Sequence, residues 1–257
     1  MRSEESRAAV PDEAIVPTED GPMRVILARP RRRGPHAPVI MFPHVGGLTE
    51  TMRVMAGFVA AGGYLCAVLD PYHRLGTIVL DPQSQDPGAV AIRKVASSSV
   101  TVPRAMEDAK AVMDWLSAQP DVRASSFGTI GYGRGGYLAL RAAADFPERI
   151  RAAASVLGFG FTEEGANAAR AWLGRVTAGL YCAFAEHDDM IPPSVPADLA
   201  DLLRDRKDAR IVIHPGARHP YAFPDRVVHD PDAARSDWDA MFALFARELG
   251  QSNARTS

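Results

Sequence analysis

A strand must pass into a helix through a turn with four glycines among residues 131–136. The apolar run Phe127-Gly128-Thr129-Ile130 leads into Gly131-Tyr132-Gly133-Arg134-Gly135-Gly136, and Tyr137-Leu138-Ala139-Leu140-Arg141-Ala142 follows with helical character. A sharp strand-to-helix turn of this kind belongs to sheets whose strands alternate with covering helices. Two chemistries use it. As G-x-G-x-x-G, the glycines let the backbone approach a dinucleotide pyrophosphate at the helix N-terminus. As a turn whose central residue is a nucleophile, it carries Ser or Cys at the apex; here the apex is Gly133.

The rest of the chain has the alternation that such a turn requires. Strand-like runs are Met23 to Ala28, Ala37 to Phe42, Leu65 to Leu69, Phe127 to Ile130, Ala152 to Leu157, Leu180 to Ala185 and Arg210 to His214. Several are continuously apolar, as a parallel sheet covered on both faces demands. Met106, Ala109, Val112, Met113 and Leu116 recur at helical spacing, as do Trp238, Met241, Phe242, Phe245 and Leu249 before a stop at Gly250. The expected fold is α/β: a doubly wound, mostly parallel sheet flanked by helices, with its ligand site at the carboxyl ends of the strands. At 257 residues, 47% hydrophobic, one domain suffices. The expected organisation is a flexible N-terminal tail over 1–20, a single domain over 21–250 and a C-terminal tail over 251–257.

Composition narrows the function classes. A formal charge of −2 with interspersed signs offers no surface for nucleic acid or membrane. The one basic run, Arg31-Arg32-Arg33, lies between two strand-like segments and reads as a solvated hairpin turn. Cys66 and Cys182 sit inside apolar strands and read as buried free thiols in a reducing compartment. The charged N-terminus, Met1-Arg2-Ser3-Glu4-Glu5, lacks the apolar stretch of a secretory signal, so a cytoplasmic location is expected. His214 and His219 have no metal-ligand spacing, so neither metal nor cofactor is expected. The expected partner is a small-molecule substrate, and the expected assembly a monomer or homodimer.

The dinucleotide reading needs an acidic residue at the end of the next strand to bind ribose hydroxyls. That strand ends Ser155-Val156-Leu157-Gly158-Phe159, without a carboxylate, and the glycine motif lies mid-chain. The nucleophile-turn reading needs an acid and then a histidine after later strands. Asp188 follows the strand Leu180 to Ala185, and His219 follows Arg210 to His214. Taken singly, Asp188 could be a cap and His219 a surface histidine; their order after successive sheet-edge turns favours a paired acid and base. Ser97, Ser98 and Ser99 read as loop or cap residues. Asp70, Tyr72, His73 and Arg74, after a strand, either line the pocket or form a structural network.

On these residues the chain resembles the dienelactone hydrolase (carboxymethylenebutenolidase) family of the α/β-hydrolase superfamily over about residues 22–250. The resemblance is carried by Gly46-Gly47-Leu48-Thr49-Glu50, by Leu69-Asp70-Pro71-Tyr72-His73-Arg74, and by the turn at 131–136. It continues in Asp188-Asp189-Met190-Ile191-Pro192, in Gly216-Ala217-Arg218-His219 and in the terminal helix from Asp237-Trp238. It implies that Asp188 is the acid, with Asp189 as runner-up, that His219 is the base, and that Gly133 falls on the family's Cys or Ser nucleophile. It further implies a glutamate near the start of the first helix that helps hold the thiol; Thr51-Met52-Arg53-Val54-Met55 has none, with Glu50 close by. The backbone donors of an oxyanion hole are expected from Arg134 and from His44-Val45-Gly46, with Tyr72 at the substrate.

A chain of this kind is expected to act on a small ester, lactone or related carbonyl compound, through a water activated by His219 or through proton transfer. A non-hydrolytic lyase, isomerase or cyclase on the same scaffold, a catalytically silent binding protein and a hydrolase inactivated by substitution are the alternatives. Specificity residues are expected in loops 74–100 and 159–176.

Overall fold

The computed structural model describes residues 11–162 and 168–250. Residues 1–10 and 251–257 of the expected tails, and 163–167 of the expected loop 159–176, lie outside the described residues. Among the described residues eight strands form one sheet: β1 (Asp12–Thr18), β2 (Gly21–Ala28), β3 (Pro38–Phe42), β4 (Leu65–Leu69), β5 (Phe127–Tyr132), β6 (Ile150–Val156), β7 (Gly179–His187) and β8 (Ala209–Arg218). Helices α1 (Glu50–Ala61), α2 (Pro87–Ser99), α3 (Val102–Ser117), α4 (Arg134–Asp145), α5 (Ala169–Trp172), α6 (Ser194–Leu202) and α7 (Pro231–Glu248) lie between and after them. The strand order is β1-β2-β4-β3-β5-β6-β7-β8. All pairs are parallel except β1 with β2 and β2 with β4.

Every residue of β3, β4 and β5 is buried, so both faces of the central sheet are covered. Neighbouring residues of β5 identify the two layers, because successive side chains point to opposite faces. A Cβ on Gly128 would meet Phe245 of α7 and Leu249. Thr129 instead donates its hydroxyl to the Ala139 carbonyl of α4 at 3.0 Å. The stripes read from the sequence supply these layers: Met106, Ala109, Val112, Met113 and Leu116 of α3 are buried, as are Met241 and Phe245 of α7. Each such side chain contributes on the order of 1.5–3 kcal/mol by leaving water. The fold is that of an α/β-hydrolase.

The structure corrects three expectations. Residues 12–18 are not tail: β1 pairs with β2 through a two-residue turn, Thr18 opposite Gly21, and buries Val16. Its outward Glu13 bonds Arg24 and Arg53. Arg31 to Arg33 do not turn a hairpin, because β4 lies between β2 and β3 and the connection must cross over it. The stretch 74–100 is not all loop, since α2 begins after Asp86, whose carboxylate caps Ala89 N at 2.8 Å, with Pro87 in the first turn. Ser97, Ser98 and Ser99 close this helix, and their hydroxyls donate to the carbonyls of Arg93, Lys94 and Ala96. No helix among the described residues is long and apolar enough to cross a membrane.

Candidate active site

The chain runs from β3 outward to β4, then crosses back to place β5 on the other side of β3. This reversal opens a crevice at the carboxyl ends of β3 and β5, where open α/β sheets bind ligands. The loop His44-Val45-Gly46 leaves β3 there, and Gly133 follows β5. Further along the same edge, Asp188 follows β7 and His219 follows β8.

The turn after β5 is set by its glycines. Gly133 has φ 60° and ψ −127°, a left-handed conformation that costs a residue with a Cβ about 1–2 kcal/mol. Gly131 and Gly135 are required by proximity: their Cβ atoms would stand 1.9 Å from Gly135 O and 2.4 Å from Phe42 O. Gly133 N donates to Val156 O at 3.1 Å and Gly133 O accepts from Gly136 N at 2.9 Å, which fixes the start of α4. Arg134 and Gly135 occupy the first turn of that helix, where amide hydrogens have no intrahelical acceptor and the helix dipole favours negative charge.

β7 and β8 are parallel neighbours with His187 opposite Arg218, so the residues that follow leave at one level. His219 Nδ1 and Asp188 Oδ2 are 2.8 Å apart. Asp188 Oδ1 accepts from Met190 N at 2.8 Å and Ile191 N at 2.9 Å, so the carboxylate is locked by backbone donors on one oxygen and holds the imidazole with the other. Its side chain is 3% exposed, against 17% for His219. Asp189 is exposed and takes no part in this bond. With a hydrogen on Nδ1 donated to Asp188, Nε2 of His219 would be left able to accept one.

His44, Val45, Tyr72, Arg134 and Gly135 line a cavity of about 560 Å³, with Phe159 on its wall. Tyr72 donates its hydroxyl to Val45 O at 2.8 Å and so ties the β3 loop to the segment after β4. Gly46 lies outside the expected donor set in one respect: its N–H is committed to His44 Nδ1 at 2.8 Å. Asp188 and His219 do not line this cavity. Gly133 stands next to it, with Phe159 N directed at Gly133 O at 3.4 Å. Phe223, four residues past His219, joins the two halves, with its ring centroid 4.9 Å from that of His44 and 5.3 Å from that of Tyr132.

Burial, reinforced by the nearby Arg226 guanidinium and opposed by Asp225, pushes the His44 imidazole down to about 4 from the usual 6.5. Between those values the unfolded chain binds a proton that the folded one does not, so stability falls as pH falls through this window. The expected loss from pH 6.5 to pH 4 is about 2–3 kcal/mol from this residue. Urea unfolding of the parent and a His44→Gln variant checks it, and equal pH slopes for both sink the assignment.

Behind His219 lies a polar cluster that the sequence did not single out. Asp237 of α7 accepts from Tyr181 at 2.7 Å and Tyr221 at 2.6 Å, and lies 2.6 Å from His214 Nε2. It is 2% exposed and pins the segment that carries His219 to β7, β8 and α7 at once. Burial and the Asp237 charge push the Tyr221 hydroxyl far above its usual range, so it stays a donor. Asp237-Trp238 was visible in the sequence only as a family-like helix start.

Other candidates resolve into structural parts. Asp70 accepts from Tyr72 N at 2.9 Å, while His73 and Arg74 both bind the buried Asp108 of α3. Of that group Tyr72 faces the cavity and His73 and Arg74 belong to the network. Glu50 is 83% exposed, stands near Arg53 and does not line the cavity. Both cysteines are buried and free, and burial pushes Cys66 upward and Cys182 to about 12, so neither offers a thiolate. Among the described residues no cluster of His, Cys, Asp or Glu is arranged to hold a metal ion.

Comparison with known proteins identifies the family. A model of the "Dienelactone hydrolase family" matches residues 23–249. A Synechocystis protein named "Putative carboxymethylenebutenolidase" is 24% identical over 238 residues, 91% of this chain and 95% of its own. A Klebsiella pneumoniae crystal structure named "Putative Dienelactone Hydrolase" superposes with TM-score 0.82 at 24% identity, covering 93% of this chain and 98% of that one. The dienelactone hydrolase of Anabaena variabilis gives TM-score 0.68 at 20% identity, over 93% and 99% of the two chains. The structural likenesses establish the fold, and the family match spans nearly all of the sheet and every strand end that frames the crevice. This chain belongs to the dienelactone hydrolase family.

Proposed function

We propose that the protein hydrolyses small esters or lactones by direct attack of water, with His219 as general base and no covalent intermediate. The carrying observation is the Asp188–His219 bond of 2.8 Å at the same sheet edge as a turn whose apex, Gly133, has no side-chain atom to act as nucleophile. His219 Nε2 takes a proton from water as its oxygen bonds to the carbonyl carbon. The carbonyl oxygen gains negative charge against the first-turn amides of α4, Arg134 N and Gly135 N. Collapse breaks the bond to the alkoxide leaving group, which receives the proton from His219. Asp188 stabilises the intervening imidazolium.

The expected kinetics with an aryl ester are linear from the first turnover, without a burst, and mass spectrometry finds no acyl adduct on the protein. An adduct, or absence of turnover on both aryl esters and unsaturated lactones, overturns the reading. A second reading is favoured by one observation: a Cβ at position 133 would stand 3.3 Å from Phe159 Cε1, so an aromatic ring crowds the apex. In that reading His219 moves a proton to or from carbon beside the carbonyl, and isomerisation of an unsaturated lactone in place of its hydrolysis marks it.

A further inference from the structure

We propose that the side chain of His44 itself binds the substrate, donating its Nε2 hydrogen to the carbonyl oxygen that becomes an oxyanion. The proposal rests on the reading above that a carbonyl is polarised in this crevice, and adds a side-chain donor to the backbone amides.

Four observations carry it. Gly46 N donates to His44 Nδ1 at 2.8 Å, which makes Nδ1 an acceptor and places the ring hydrogen on Nε2. His44 Nε2 is buried and has no hydrogen-bond partner, although buried donors are nearly always satisfied. The ring stands where the strand ends converge: it meets Phe223 of the His219 segment, Phe223 meets Tyr132 directly before Gly133, and His44 lines the cavity with Arg134 and Gly135. Burial and the Arg226 guanidinium, opposed by Asp225, leave it uncharged at neutral pH. A purely structural role, shaping the β3 loop, accounts for Nδ1 and leaves Nε2 unexplained. An uncharged imidazole suits the task, because it strengthens its hydrogen bond as the oxygen gains charge without transferring a proton to it.

The predicted ligand class is therefore a carbonyl compound or a tetrahedral anion that imitates its hydrated form. The test uses ethyl phenylphosphonate as that anion and reads binding, not turnover. In the ¹⁵N-labelled full chain, His44 is expected as the Nε2–H tautomer from about pH 5 to about pH 8, and its Nε2 proton resonance moves downfield on saturation with the phosphonate. His44→Leu is expected to weaken the phosphonate Kd by about tenfold or more, and His44→Gln, which retains an amide donor, by less. An Nδ1–H tautomer, an unmoved resonance at saturation, an unchanged Kd in the Leu variant, or no binding to the parent at millimolar phosphonate each overturns it. If the Leu variant does not fold, the resonance measurements on the parent decide. A parent that shifts the His44 resonance yet hydrolyses nothing upholds this proposal and refutes the hydrolytic reading; ester turnover without any His44 response does the reverse.

Discussion

His219→Ala is expected to lower kcat for ester or lactone hydrolysis by roughly 10²–10⁴-fold with little change in KM, the range that a positioned general base contributes. The imidazole is held through Nδ1 by Asp188 Oδ2 at 2.8 Å, and its other nitrogen is the base in the proposed reaction. Removing the ring leaves the cavity walls untouched, because His219 does not line the cavity formed by Tyr72, Phe159 and the start of α4. Substrate binding should therefore survive while proton abstraction is lost. Steady-state kinetics on an aryl ester across pH, for the parent and the Ala variant, make the check. Equal kcat in both removes His219 from the chemistry, whether water attack or proton transfer.

Gly133→Cys is expected to change the mechanism rather than merely the rate. The turn is already in the conformation that presents an apex side chain, at φ 60° and ψ −127°, and the acid and base are already paired. A thiol there should give a leaving-group burst equal to the enzyme present, a thioester adduct by mass spectrometry, and turnover raised by about 10²-fold or more, since members of such a triad act as a unit. The substitution also carries a cost. The positive φ destabilises a residue with a Cβ by about 1–2 kcal/mol, and the Phe159 ring, 3.3 Å from the new Cβ, must retreat by a few tenths of an ångström. Denaturant unfolding should show the loss alongside the gained activity. A folded Cys variant without adduct and with parental turnover would falsify the view that the apex is within reach of His219.

The legible parts of this protein were those written in periodicity. The strand-like runs recur as β2 to β8, within a few residues at their ends; the α3 stripe is buried, and of the α7 stripe Met241, Phe245 and Leu249 are buried and Trp238 and Phe242 half-buried. β1 escaped because only Val16 of its seven residues is buried, too little alternation for an edge strand to announce itself. α2 escaped for the same reason, since Ala96 is its only buried residue. The arginine run reads as a hairpin from local pattern alone because sequence neighbours β2 and β3 are not sheet neighbours, and no local pattern records that β4 intervenes.

Within the crevice the same division holds. The order Gly133, Asp188, His219 after three strand ends is a property of the sequence, because a parallel sheet delivers every strand's following loop to one edge. Which of two adjacent carboxylates meets the imidazole is not. Asp188 is chosen over Asp189 because its other oxygen caps Met190 and Ile191, and His219 is chosen over His214 because Asp237 already occupies the latter. The tautomer of His44 depends on a turn that aims Gly46 N at Nδ1, and the covering of Gly133 depends on Phe159 returning from β6. Residue type and spacing determined the alternation, the glycine turn and the candidate acid and base, since these follow from local burial and backbone sterics. Tertiary structure alone decided who bonds to whom, because hydrogen-bond partners are set by the register of strands far apart in the chain.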